Sequence, residues 1–178
     1  MSPRIHSFDP WKFEKLDGKD AMSVLKEASG GLKNGWWLSA GTLLGFYRDG
    51  GFIPHDTDID VAVIGRQDMS YLPETYRPIR VVTDKDGRRY QSAYIHDPTN
   101  IIFDCLHYWP HPEKEGVFYT ESEKGFLYRD KNMIENIVMH DFGELGEWPV
   151  PRETEKYLEI WYGTWQIPVE KSKTKWER

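Results

Sequence analysis

Three aspartates carry most of the chemistry this sequence could do. Asp58 and Asp60 stand two residues apart in Asp58-Ile59-Asp60-Val61-Ala62-Val63, an apolar run with acids at one end. In a strand, side chains i and i+2 leave the same face with Cα atoms about 6–7 Å apart. The two carboxylates therefore project together, while Ile59, Val61 and Val63 point into a core. Paired carboxylates repel each other and lose hydration, and a divalent cation offsets both effects. Magnesium, or manganese in its place, suits such a pair, because hard cations are held by one or two carboxylates plus substrate phosphates. Asp104 stands alone inside a second apolar run, Ile101 to Trp109. An aspartate there is costly unless it is paired, hydrogen-bonded or metal-bound. It reads either as a structural acid that meets an arginine or backbone N–H groups, or as a third carboxylate of the metal site. In the second role it could ligate the ion, take a proton from an attacking hydroxyl, or do both.

The acids need elements to hold them. Trp36-Trp37-Leu38 is long enough for a short buried strand. It turns through Ala40-Gly41-Thr42 into a helical segment, Thr42 to Tyr47, and the Gly-Pro-rich loop Gly50 to Pro54 then leads to the acidic strand. Backbone N–H groups and the Thr42 hydroxyl at a helix N-terminus make a natural seat for a phosphate. An Asp-x-Asp alone is common and weak as a motif. Its combination with that turn is what points to phosphate chemistry.

Gly41-Thr42-Leu43-Leu44-Gly45, Arg48, Gly51-Phe52-Ile53-Pro54 and Asp56-x-Asp58-Ile59-Asp60-Val61 resemble the signature block of the LicD family. That family includes bacterial phosphocholine transferases, fukutin and the fukutin-related proteins, and belongs to the nucleotidyltransferase fold superfamily. Two departures are His55, where the family usually has Trp, and Thr57, where many members carry a further Asp. A second match closes the chain: Trp148-Pro149-Val150-Pro151, a helix from Arg152 to about Trp161, then Tyr162-Gly163 and Pro168. The resemblance implies an α/β (α+β) domain, a small mixed sheet flanked by helices. It implies transfer of a phospho-alcohol unit, of phosphocholine or ribitol-phosphate type, from a CDP-linked donor to a sugar hydroxyl of a glycan, with release of CMP. In that reaction Asp58, Asp60 and Asp104 would hold one or two magnesium or manganese ions. Gly41 and Thr42 would grip a phosphate, and Asp56 would orient the metal pair from behind. Arg48 would pair with another phosphate oxygen, or else form a surface salt bridge. Two other readings stay open: a true nucleotidyltransferase that moves NMP from an NTP to a small molecule or protein, and a non-catalytic module that kept the fold.

Composition bounds these readings. The chain has 178 residues, a formal net charge of −6 and a single cysteine, Cys105. Acidic balance argues against holding nucleic acid by bulk phosphate attraction, and one cysteine excludes an internal disulfide or a cysteine zinc cluster. No apolar stretch approaches the ~18 residues of a membrane span, so a cytoplasmic location is expected. Aromatics make up 15% of the residues, enough to build a core of large side chains and also to stack on a sugar or base.

Residues 1–18 read as an arm, 19–168 as the catalytic domain and 169–178 as a frayed tail. Ala21, Val24, Leu25, Ala28 and Leu32 have helical spacing, with Asp20 as the expected N-cap. Ile79–Thr83 and Tyr90–Ile95 read as a hairpin around Asp86-Gly87, and Val117–Thr120 and Phe126–Tyr128 as two short strands. Asn132–His140 fits helix or strand. His107 and His111 lack a third ligand at zinc spacing and read as surface or pocket-edge residues.

Overall fold

A computed structural model of the protein describes residues 16–33, 35–122 and 125–169. The expected arm therefore lies almost wholly outside the described residues, as does the tail beyond Val169. The first helix, α1 (Gly18–Ser29), buries Ala21, Val24, Leu25 and Ala28 as the spacing predicts. Its cap is Asp17 rather than Asp20. Asp17 has the extended backbone that lets its carboxylate turn back to accept from the N–H groups of Lys19 and Asp20, and Asp20 instead lends negative charge to the first turn. The expected arm accordingly stops one residue short of Gly18, which is already helical.

A sheet of mixed direction follows. Its strands are β1 (Trp36–Leu38), β2 (Asp58–Ile64), β3 (Tyr76–Thr83), β4 (Arg89–His96) and β5 (Ile101–Pro110), in the spatial order β1-β2-β5-β4-β3. β2 and β5 run parallel, and the other neighbours are antiparallel. The β3–β4 hairpin turns at Asp84–Gly87, where the Asp-Gly signal placed it. β6 (Val117–Ser122) and β7 (Gly125–Asp130) form a second hairpin that joins the far end of β5.

The stretch that fitted helix or strand is both. Lys131–Glu135 is a short helix, α3, that buries Met133 and Ile134. Ile137–Asp141 is a strand, β8, paired with β9 (Glu147–Pro151). The change comes at Asn136, where β-branched Ile137 and Val138 find partners in Pro151 and Val150. The last described helix is α4 (Thr154–Tyr162), closed by Gly163. This α+β arrangement is the one expected, with a core around Trp37, Leu38, Ile59, Phe103, Cys105 and Tyr108.

His107 departs from expectation. It is fully buried, lying between Ser92 Oγ at 2.9 Å from Nε2 and the Gly65 carbonyl, which accepts from Nδ1 at 3.0 Å. Burial pushes its pKa down to about 4, so the ring is a neutral pin between β4 and the end of β2. The alternation of β5 put it inward, and its polarity had suggested the opposite. His111, half-buried, accepts backbone N–H groups of Glu113 and Lys114 at Nδ1 and shapes a turn.

Candidate metal centre

Register brings the acids together. Asp60 of β2 lies directly opposite Asp104 of β5, so both leave one face of the sheet, with Asp58 two residues before Asp60. The loop entering β2 adds Asp56. Oxygens of Asp56, Asp58 and Asp60 all lie within 4.8 Å of one another. The sequence reading had put Asp56 behind the metal pair; its carboxylate stands beside Asp58 and Asp60 instead. The i, i+2, i+4 spacing of Asp56, Asp58 and Asp60 was the signal that could have shown it.

The turn after β1 locks this cluster. The Gly41 N–H donates to Asp60 Oδ2 at 2.9 Å, and the Asp60 N–H donates to Thr42 Oγ1 at 2.8 Å. The Ser39 N–H donates to the Asp60 carbonyl at 3.1 Å. Ala40 has φ +40°, a left-handed conformation uncommon outside glycine. The helix α2 (Ala40–Leu44) and the π-helical turn Gly45–Asp49 then carry the chain away from the site. A Cβ at Gly41 would run into the Asp56 carboxylate and reach 3.2 Å from Asp60, so a side chain there would push Asp56 aside. Thr42 is buried, and its hydroxyl accepts the Asp60 N–H. Its position is that of a tie between α2 and β2, where a phosphate grip had been expected.

Arg48 has partners within the protein. Its guanidinium donates to both carboxylate oxygens of Asp49 and to the Trp165 carbonyl. The alternative reading, an ion pair, is the one the geometry matches. The π-helical turn directs Arg48 toward the C-terminal segment.

Burial and neighbouring charge raise the pKa of these acids. Burial first, then the charges of Asp58, Asp56 and Asp104, raise Asp60 well above the carboxylate range, against the opposing Gly41 N–H. Burial and the Asp58 charge raise Asp104 to about 7, against a hydrogen bond from Gln91 and the charge of Arg80. Asp58 is raised by burial and lowered by a hydrogen bond with Asp56 and by Arg80. Gln91 Nε2 donates to Asp104 Oδ2 at 2.6 Å. Asp104 Oδ1 and Gln91 Oε1 are buried acceptors with no hydrogen-bond partner. Asp60, raised by three acidic neighbours, and Asp104, raised by Asp58 and carrying an orphaned acceptor, fit a hard divalent cation. Tyr162, at the end of α4, lies close enough to feel the acids' charge. Its hydroxyl is pushed up by burial and by the charges of Asp60, Asp56 and Asp58. Gln91, Arg80 and Tyr162 were not recognised from sequence; only Tyr162 sits in a motif, the Tyr-Gly of the closing block.

A family profile described as LicD/FKTN/FKRP, nucleotidyltransferase domain, matches residues 33–142. A mouse (Mus musculus) protein, ribitol-5-phosphate transferase FKTN, is 24% identical over 166 residues, 85% of this chain and 34% of that protein. The chain thus spans about a third of the length of the curated relative it matches.

Proposed function

This chain belongs to the LicD family, and from that membership together with the acid cluster we propose that it is a metal-dependent phosphotransferase. The reaction moves a phospho-alcohol unit, of phosphocholine or ribitol-phosphate type, from a CDP-linked donor to a sugar hydroxyl of a glycan, and CMP leaves. The observation that carries this reading is the group of four carboxylates, Asp56, Asp58 and Asp60 within mutual reach of one ion and Asp104 in register with Asp60. Magnesium or manganese, held by Asp56, Asp58, Asp60 and Asp104, would neutralise the diphosphate and stabilise charge on the attacking and leaving oxygens.

The protein's own groups would do the rest. The Gly41 N–H and the Thr42 tie hold Asp60 in one orientation. Gln91 holds Asp104 Oδ2, leaving Oδ1 buried without a hydrogen-bond partner. The acceptor oxygen forms a bond to the phosphorus that bears the alcohol, the bond from that phosphorus to the oxygen of CMP breaks, and Asp104 Oδ1 takes the acceptor's proton.

A donor screen tests this reading. CDP-ribitol and CDP-choline with magnesium should raise the melting temperature more than CTP or ATP does, since a ligand bound only by the folded state stabilises it. Preference for NTPs with release of pyrophosphate would point to nucleotidyl transfer instead. No response to any donor with metal would mark a binding module that has lost the reaction.

A further inference from the structure

We infer that Tyr157 is a positioning residue for the acid cluster: by holding the Ser39 hydroxyl, it leaves the Gly41 N–H to Asp60. This rests on the metal-centre reading above and adds to it a residue of the C-terminal helix. Tyr157 Oη and Ser39 Oγ lie 2.6 Å apart and come from positions 118 residues apart in the chain. Both residues are fully buried, where a hydroxyl that loses its partner finds no water to replace it.

Ser39 stands where a capping residue stands. It precedes α2 with an extended backbone, φ −133° and ψ 172°, and its carbonyl accepts the Leu43 N–H. A serine there ordinarily turns its hydroxyl back to accept the N–H two or three residues on, which would be that of Gly41 or Thr42. The Ser39 hydroxyl makes no such bond. It is bound to Tyr157, and the Gly41 N–H donates to Asp60 Oδ2 at 2.9 Å. One donor thus has two acceptors within the same turn, the Ser39 hydroxyl and the Asp60 carboxylate, and Tyr157 takes the first out of competition. The Ser39 main chain is tied to the same acid, since its N–H donates to the Asp60 carbonyl at 3.1 Å.

Tyr157 is itself fixed. It lies in the core, and the Arg129 guanidinium sits over its ring at 5.5 Å from the centroid. Arg129 is also buried, and it stacks on Trp161, one turn further along α4, at 5.0 Å. A ring held by packing and by a cation presents its hydroxyl at one point. The competition makes the two hydroxyls unequal. Without the Tyr157 hydroxyl, Ser39 is free to take the Gly41 N–H, and Asp60 loses its donor. Without the Ser39 hydroxyl the competitor is gone, and Asp60 keeps its donor. A bond that served the fold alone would cost stability from either side and leave the acids unaffected.

Magnesium titrations of the whole chain by calorimetry, with the Gly41 amide proton followed by NMR in the metal-free protein, test the inference. Tyr157→Phe keeps the ring and its packing. It should lose about tenfold or more in magnesium affinity, as loss of an orienting contact around ligands commonly does. Ser39→Ala should bind magnesium close to the wild-type affinity, and adding Ser39→Ala to Tyr157→Phe should restore what Tyr157→Phe loses. The Gly41 amide proton, drawn to low field by its carboxyl acceptor, should move upfield in Tyr157→Phe and return in the double variant. An unmoved Gly41 resonance or wild-type magnesium affinity in Tyr157→Phe would overturn the assignment, as would a double variant that stays as weak as Tyr157→Phe. If the wild type binds no magnesium, the metal-centre reading fails, and the Gly41 resonance alone decides for or against Tyr157.

Discussion

Asp104 is where chemistry and stability separate most clearly. Asp104→Asn keeps the volume and can keep the bond from Gln91, and it removes a charge that repels Asp58 and Asp60. The metal-free variant should melt at or above the wild type, while turnover with saturating magnesium falls by a factor of about 10² or more, the usual size of general-base and metal-clamp effects. A marked drop in the metal-free melt with turnover per folded molecule intact would assign Asp104 to structure. The carboxylates and His107 also predict opposite pH responses. Asp104 has its pKa raised to about 7, so the stability linked to it is present at low pH and is lost as pH rises through 7; Asp58 and Asp60 act in the same sense. His107, lowered to about 4, contributes stability above the usual histidine range that is lost as pH falls toward 4. The metal-free wild type should therefore melt lower at pH 8 than at pH 5, and magnesium should raise the melt at pH 8 and have little effect at pH 5. In Asp104→Asn the fall toward pH 8 should shrink and the rise contributed by His107 between pH 4 and 6.5 should stand out. Equal magnesium responses at the two pH values would count against this electrostatic picture.

At the scale of elements, the turn between β1 and α2 holds the cluster together. A methyl at Gly41 collides with Asp56 and crowds Asp60, the residue whose carboxylate Gly41 anchors. Gly41→Ala should weaken magnesium binding by about 10–100-fold, as loss of an orienting contact around ligands commonly does; calorimetry that finds wild-type affinity would make the glycine merely tolerated. Asp17→Ala, which removes the α1 cap, should cost about 1 kcal/mol of stability and leave metal affinity alone, and a denaturant melt with a paired titration reads both. Much of this scale was legible beforehand. Apolar runs marked β2 and β5, the Asp-Gly turn marked the β3–β4 hairpin, and helical spacing marked α1. What stayed hidden depended on pairing between strands. The bulge at Ile79, where β3 shifts register against β4, leaves no mark in composition. The inward side of β5 decided His107, whose polarity misled. Thr42 and Arg48 were correctly seen as motif residues, but their partners, the Asp60 N–H and the Asp49 carboxylate, are set by tertiary contact.

For the molecule as a whole, three aspartates named from spacing converge on one sheet face, and a fourth, Asp56, stands beside them. Their convergence was partly readable, because i and i+2 share a strand face; the alignment of Asp60 with Asp104 needed the parallel register of β2 and β5. No helix among the described residues is long and apolar enough to cross a membrane. Gly41, Gln91 and Arg80 offset part of the acids' mutual repulsion, and a bound cation would offset more of it. Paramagnetic resonance of manganese titrated into the protein at pH 8 reads that directly, because the signal of free manganese drops as ions are bound. The wild type should take up one or two ions, with uptake reversed by magnesium, and Asp58→Asn should lose most of that uptake while remaining folded. Equal uptake by the wild type and Asp58→Asn, or none by either, would contradict a metal centre at these aspartates.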